Sequence, residues 1–358
     1  MTSLERVRCA ARRQPVDRVP VAPYMGNHGA RVAGVPIGAY CRSGRVMAEA
    51  QFKAWQFYGQ DAVVAQSDNY YIAQGFGVEV EHHQDSTPSL KIPVVRELAD
   101  IERLRVPDPL EDGRMPVYLE AIRRLAEMTR GEVAVRAPGT GPFSLAGHLM
   151  GAETFLLELA MADREPGGKE EQSLRRLLEL TTEALIAFAT ACIEAGAHLV
   201  QAGDSLASLD MISPAAYRKW AWPAERRFFA TINPLAERCG VATLLHICGN
   251  MTAVLESMAD TQAHILELDH KVSLRTAKER VGEGVCLMGN LDPVELLWRG
   301  TPEAVASAAG QAIADAGLQG GFILGSGCEV PVETPKENIH AMIETARRSG
   351  SLAGRSQG

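Results

Sequence analysis

His246, Cys248 and Cys328 carry the strongest chemical signal in the chain. His246 and Cys248 are two residues apart, so on an extended strand both side chains leave the same face. Cys328 lies far along the chain. One imidazole and two thiolates form a neutral set around Zn²⁺, and a tetrahedral ion held by three protein ligands keeps a fourth position open. That is the pattern of a catalytic zinc site, and thiolates favour zinc over magnesium or calcium. Such a vacancy can hold a substrate atom, lower its pKa or polarise its bond.

Three ligands so far apart in sequence need a scaffold that brings strand ends together. Eight short apolar runs recur, at 19–25, 62–66, 132–137, 197–202, 241–247, 263–268, 284–288 and 321–324. They are nearly continuous in Val, Ile, Leu and Ala, as in parallel strands covered on both faces. Most segments between them read as helices. Residues 115–128 place Leu119, Ile122, Leu125 and Ala126 on one face. Ser213-Pro214 and Thr301-Pro302 give an N-cap and a proline at the first helical position, Gly317 closes the second of these helices, and Thr334-Pro335-Lys336-Glu337 reads as a capping box. Strand–helix alternation repeated eight times predicts an α/β fold, a (βα)8 TIM barrel. An open doubly wound sheet gives the same alternation, but no Gly-rich dinucleotide fingerprint follows the first run. Residues 68–112 are irregular and read as an insertion after strand two. One catalytic domain over 1–348 and a C-terminal tail over 349–358 are expected.

In a barrel the C-terminal strand ends form the floor of the site. They supply the remaining candidates. Asp68 and Asp204 could bind substrate or hold a reacting proton, or each could cap the helix after its strand. Glu267 is the third candidate carboxylate and, with Asp269, could steady a metal ligand from behind. Asn250 and Asn290 could line the pocket or cap turns. His82 and His83 fall in the insertion and read as solvated, and Cys286 inside its run reads as core.

Composition narrows the partners. The 358 residues carry a formal net charge of -8 and 46% hydrophobic residues, with no dense Lys/Arg block for a nucleic-acid groove. No apolar run approaches a membrane span. Residues 1–14 hold four arginines and no apolar stretch of a secretory signal. The seven scattered cysteines fit a reducing cytoplasm better than a disulfide framework.

These motifs resemble the uroporphyrinogen decarboxylase superfamily, and within it the zinc- and corrinoid-dependent methyltransferase branch. The resemblance covers nearly the whole chain. It is carried by His246-Ile247-Cys248-Gly249-Asn250, Met288-Gly289-Asn290 and Gly325-Ser326-Gly327-Cys328 with Thr334-Pro335-Lys336-Glu337-Asn338. His246, Cys248 and Cys328 match the branch's zinc ligands. Ser67-Asp68, followed by Gly75-Phe76-Gly77-Val78-Glu79-Val80, resembles the decarboxylase's aspartate strand and implies a pocket position for Asp68. The decarboxylases' Arg-rich segment is replaced here by Met25-Gly26-Asn27-His28-Gly29-Ala30-Arg31, and their histidine near strand eight by Ser326. A substrate with many carboxylates needs several guanidinium forks, so porphyrinogen decarboxylation ranks second.

The resemblance implies methyl transfer between a corrinoid and a small methyl donor or acceptor. Tyr24, Met25, Tyr70 and Tyr71 at the ends of strands one and two could hold an apolar or aromatic group, which favours demethylation of a methyl ether or similar donor, and Asn27 is a further substrate-binding candidate. Methylation of a thiol of the coenzyme M type is the alternative, and a non-catalytic metal- or corrinoid-binding barrel is another. No D-x-H-x-x-G segment is present to ligate cobalt, so the corrinoid is expected to arrive on a partner carrier protein.

Overall fold

Alternation of side chains along the barrel strands decides which residues reach the site. In the computed structural model, which describes residues 1–317 and 320–353, seven parallel strands form one sheet. They are β1 (Ala62–Val64), β4 (Ala134–Arg136), β5 (Leu199–Gly203), β6 (Ala242–Ile247), β7 (Ile265–Leu268), β8 (Cys286–Leu291) and β9 (Phe322–Ser326), each paired with the next in that order. The short antiparallel pair β2 (Glu79–Glu81) and β3 (Ser89–Ile92) stands apart, inside the expected insertion.

Closure runs through the segment expected to be strand one. Val21 forms a parallel bridge to Leu324 and its carbonyl accepts from Asp61 N at 2.7 Å, so residues 20–22 join β9 to β1. The expected strand over 19–25 is therefore corrected to a single bridge. Pro20 and Pro23 lack the N–H groups a ladder needs. The barrel reading itself holds.

Odd and even positions separate cleanly. Ala62, Ala134, Leu199, Ala242, Leu244, Ile265, Cys286, Met288 and Ile323 form one buried cluster with Ala22 and with Leu4, Val7, Ala10 and Ala11 of the helix Ser3–Ala11. This is the barrel interior, plugged at its lower end by that helix. Alternate residues, such as Val63, Val135, Val200, Leu245, Leu266, Leu287 and Leu324, pack outward in the larger cluster shared with the surrounding helices. Counting up two residues at a time from the interior set gives Tyr24, Gln66, Arg136, Gln201, His246 and Glu267. The apolar interior thus gives way to a polar layer beneath the mouth.

The helix over Met115–Thr129 buries Leu119, Ile122 and Leu125 as its periodicity predicts. Ser213 and Thr301 act as N-caps. The Thr334 capping box does not form: the last helix starts at Lys336, and the buried Thr334 hydroxyl has no hydrogen-bond partner. That helix runs to Ala353, past the expected start of the tail at 349, and residues 354–358 lie outside those described. No helix among the described residues is long and apolar enough to cross a membrane.

Candidate metal centre

Parallel register brings the donors to one mouth. β6 pairs Gly203 with His246 and His246 with Glu267, and Cys248 follows the strand's end. β9 delivers Cys328 from the far side. His246 Nε2 lies 3.3 Å from Cys248 Sγ, and Cys248 Sγ lies 3.7 Å from Cys328 Sγ. One ligand atom from each of the three residues falls within 4.8 Å of the others. Zinc with Zn–S of about 2.3 Å and Zn–N of about 2.0–2.1 Å predicts tetrahedral edges of roughly 3.8 Å for S···S and roughly 3.6 Å for N···S. The spacing fits a single ion of that kind.

Protonation points the same way. The thiol of Cys328 hydrogen-bonds to Cys248, which holds the Cys248 sulfur down toward thiolate, with the His246 contact adding to the effect. The same contact pushes the Cys328 thiol up. Burial disfavours a charged His246, but its hydrogen bond and charge contact with Cys248 win and hold it up to about 9. The trio is thus a set of deprotonatable donors sharing protons where a cation would replace them.

His246 is oriented from behind. Its Nδ1 lies 3.1 Å from the Glu267 carbonyl oxygen and 3.5 Å from the Glu267 carboxylate. A proton on Nδ1 donates there and leaves the Nε2 lone pair for a metal. Glu267 is fixed in turn by Arg136, whose two terminal nitrogens reach its oxygens at 2.7 and 2.6 Å. Arg136 Nε donates to Gln201 at 2.7 Å, and the guanidinium lies 4.3 Å over the Tyr24 ring. Ser205 Oγ lies 3.3 Å from Cys248 Sγ.

A cavity of about 460 Å³ opens beside this trio, within the range of small-molecule sites. Tyr24, Asn27, Asp68, Tyr70, His246 and Cys328 line it, as do Gln66, Arg136, His148, Glu329 and the insertion's Thr87 and Pro88. Asp68 is held by a two-pronged pair with Arg114 at 2.8 and 2.6 Å and by the Ser67 hydroxyl at 2.7 Å. His148 packs against Tyr70, and burial lowers its pKa to about 4, so it is neutral.

Five expected site residues lie elsewhere. Asp204 faces the start of the helix Pro142–Met150, accepting from Phe143 N at 3.1 Å and Ser144 N at 2.6 Å. It caps the helix that follows β4 rather than one after its own strand, and burial pushes its carboxyl up to about 6. Met25 is buried in the outer core. Asn250 is exposed and accepts from Thr252 N and Oγ1, a local turn. Asn290 donates to the carbonyls of Asp269 and Val272, bracing the loop after β7. Tyr71 packs on Tyr118 and Phe188. Asp269, expected behind the metal, accepts from Gly249 N at 2.9 Å and so steadies the turn that carries Cys248.

Three residues of the site were missed: Arg136, Arg114 and Glu329. Arg136 had a visible signal, a charge inside the apolar run Ala134-Val135-Arg136-Ala137. Glu329, next to Cys328, accepts from both Asn27 N and Nδ2 at 2.9 Å, and burial raises its pKa to about 7.

Comparison with known proteins extends the picture. The family model for uroporphyrinogen decarboxylase matches residues 2–349. A methylcobamide:CoM methyltransferase of Methanosarcina acetivorans is 32% identical over 97% of this chain and 98% of its own length. A methylated-thiol–coenzyme M methyltransferase of Methanosarcina mazei is 26% identical over 98% of this chain and 90% of its own. A solved methyltransferase structure from Methanosarcina mazei superposes with a TM-score of 0.87 at 27% identity, covering 97% of this chain and 99% of that one.

Proposed function

The chain belongs to the uroporphyrinogen decarboxylase family, on the side of the methylcobamide:CoM methyltransferases, and we propose that it transfers a methyl group from a corrinoid on a partner protein to a small thiol. His246, Cys248 and Cys328 hold one zinc ion in this reading. The observation that carries it is the 3.7 Å S···S and 3.3 Å N···S spacing of three donors beside the cavity. When bound, zinc supplies a Lewis-acid position that favours the thiolate of a thiol placed there.

The other groups act by holding and excluding. Glu267 and Arg136 fix the imidazole's tautomer and tilt. The Ser205 hydroxyl contacts Cys248 and tempers its sulfur charge. Tyr24, Tyr70 and the hairpin residues Thr87 and Pro88 wall the cavity, so an incoming thiol sheds water before it meets its methyl donor. The substrate sulfur attacks the methyl carbon. The carbon–cobalt bond of the carrier breaks with both electrons going to cobalt, and the thiol proton leaves to solvent.

A thiol acceptor replaces the methyl-ether donor favoured by the sequence alone, because both relatives named above act on coenzyme M. Decarboxylation of a polycarboxylate is disfavoured by the mouth itself: Arg136, the one arginine or lysine among the described lining residues, is committed to Glu267, which leaves no open guanidinium fork there. Stopped-flow spectra of methylcobalamin mixed with zinc-loaded protein and a thiol test the assignment. The expected result is thiol-dependent loss of the methyl-cobalt band, abolished by chelation and restored by zinc. A spectrum indifferent to every thiol, or methyl-ether-dependent formation of methyl-cobalt in its place, would contradict it.

A further inference from the structure

A second cavity lies under the barrel, at the pole opposite the metal ligands. It measures about 300 Å³. Gly240, Val241 and Ala242 bound it at the start of β6, His264 just before β7, and Arg8, Arg12 and Arg13 from the helix Ser3–Ala11 and the turn that ends it. Ala242 opens β6 and His246 stands four residues further up the same strand. At about 3.3 Å per residue, roughly 13 Å of strand separates this cavity from the metal donors.

Three guanidiniums meet there with little to neutralise them. Arg8 Nε donates to the Gly240 carbonyl at 3.0 Å, while Arg12 and Arg13 form no hydrogen bond or ion pair with any described residue. Lys278 borders the same ground, since a Cβ at Gly321 would lie 3.5 Å from Lys278 Nζ and 3.2 Å from Arg13 Cγ. Glu237 is the one carboxylate among the described lining residues, and it is 68% exposed and set against His264 at 3.5 Å. Burial, joined by the Arg12 charge, holds the Arg8 guanidinium below its usual value, and burial with the charges of Arg13 and Arg12 lowers His264 despite Glu237. Like charges gathered this closely repel unless an anion sits among them. The backbone adds a second sign. Arg13 has φ 58°, in the left-handed region just past the helix end. Glycine is the usual residue there, and arginine adopts that conformation under strain. The negative end of the helix dipole favours a nearby cation, but it leaves the forks of Arg12 and Arg13 open.

We propose that this lower cavity binds a small multivalent oxyanion, a phosphate or diphosphate group, in the guanidinium forks of Arg12 and Arg13, with Arg8 and Lys278 adding charge. Planar guanidinium forks match phosphoryl oxygens two at a time. A group with two or more negative charges cancels a repulsion that a monoanion only reduces. The bound anion clamps the first helix to the foot of β6 and β7, and that helix is the plug of the barrel interior. The site is independent of the reaction at the mouth.

Inorganic pyrophosphate is the probe, titrated into the zinc-loaded full chain and followed by calorimetry and by thermal unfolding. It is expected to bind and to raise the unfolding midpoint as its concentration increases. Arg12→Gln and Arg13→Gly should each weaken binding by roughly tenfold or more, the scale of one lost charge-assisted hydrogen bond. Without ligand, Arg13→Gly is expected to unfold at the same temperature as the unsubstituted protein or higher, because glycine releases the left-handed strain. Weaker binding in that variant therefore reports the lost guanidinium and not a damaged fold. Both variants leave the mouth untouched, so any pyrophosphate drawn to zinc is common to all the proteins compared. Arg176→Gln, at a half-exposed arginine of the helix Lys169–Glu194, is the control and should keep full affinity. Unchanged affinity in Arg12→Gln and Arg13→Gly, an equal loss in Arg176→Gln, or no binding of pyrophosphate at all would overturn the proposal.

Discussion

Cys248→Ser and Cys328→Ser are each expected to purify with little zinc and to lose methyl transfer by at least about a hundredfold, since even residues that only hydrogen-bond to a metal ligand typically matter by about 10–100-fold. A serine hydroxyl is nearly isosteric but ionises far less readily than a thiol and is a harder donor. Each substitution therefore removes a charge from the set as well as a bond. The Cys248–Cys328 contact shares one proton now, and a lone cysteine beside His246 no longer forms that acidic pair. Cys239→Ser is the control, because Cys239 is exposed and outside the cluster. Zinc content by atomic absorption reads the result, and undiminished metal in both Cys248→Ser and Cys328→Ser would remove the ligand assignment.

Glu267→Gln should have the second large effect, on both stability and metal affinity. The pair with Arg136 is nearly dry, with side chains 1% and 3% exposed. Removing one partner leaves a buried guanidinium unpaired, which costs about 3–5 kcal/mol, whereas replacing both with apolar groups is often close to neutral. The double substitution Arg136→Met with Glu267→Leu should therefore recover most of the denaturation midpoint lost by Glu267→Gln. It should not recover zinc affinity, because the carboxylate behind His246 is gone in both proteins. A double variant as unstable as the single one would show that the charge pair is not what burial of Arg136 depends on.

The fold was legible where periodicity is physical. Strands buried on both faces read as unbroken apolar runs, and seven of the eight expected runs contain a strand. The run at 19–25 kept the composition of a strand, but Pro20 and Pro23 left too few donors for more than a bridge. The cluster of candidate metal ligands was legible because histidine and cysteine two apart at a strand end, with a distant cysteine at another, suit a specific chemistry, and the structure brings the three together. Asp204 and Asn290 were misassigned because lying after a barrel strand fixes only their height. Whether such a side chain turns to the cavity or to a neighbouring helix depends on packing that no local pattern reports. Arg136 shows the reverse: two-residue spacing from interior Ala134 places it in the polar layer, and its charge marked it as needing a partner. That partner, Glu267, sits 131 positions away and becomes visible only once the barrel closes.

Zinc K-edge X-ray absorption on the loaded protein, with and without a bound thiol, examines the open metal position most directly. Two sulfurs at about 2.3 Å and one imidazole nitrogen at about 2.0–2.1 Å are expected at rest, with a third sulfur entering when the thiol is added. A first shell that already holds four protein donors, or that gains no sulfur from any thiol, would contradict the account.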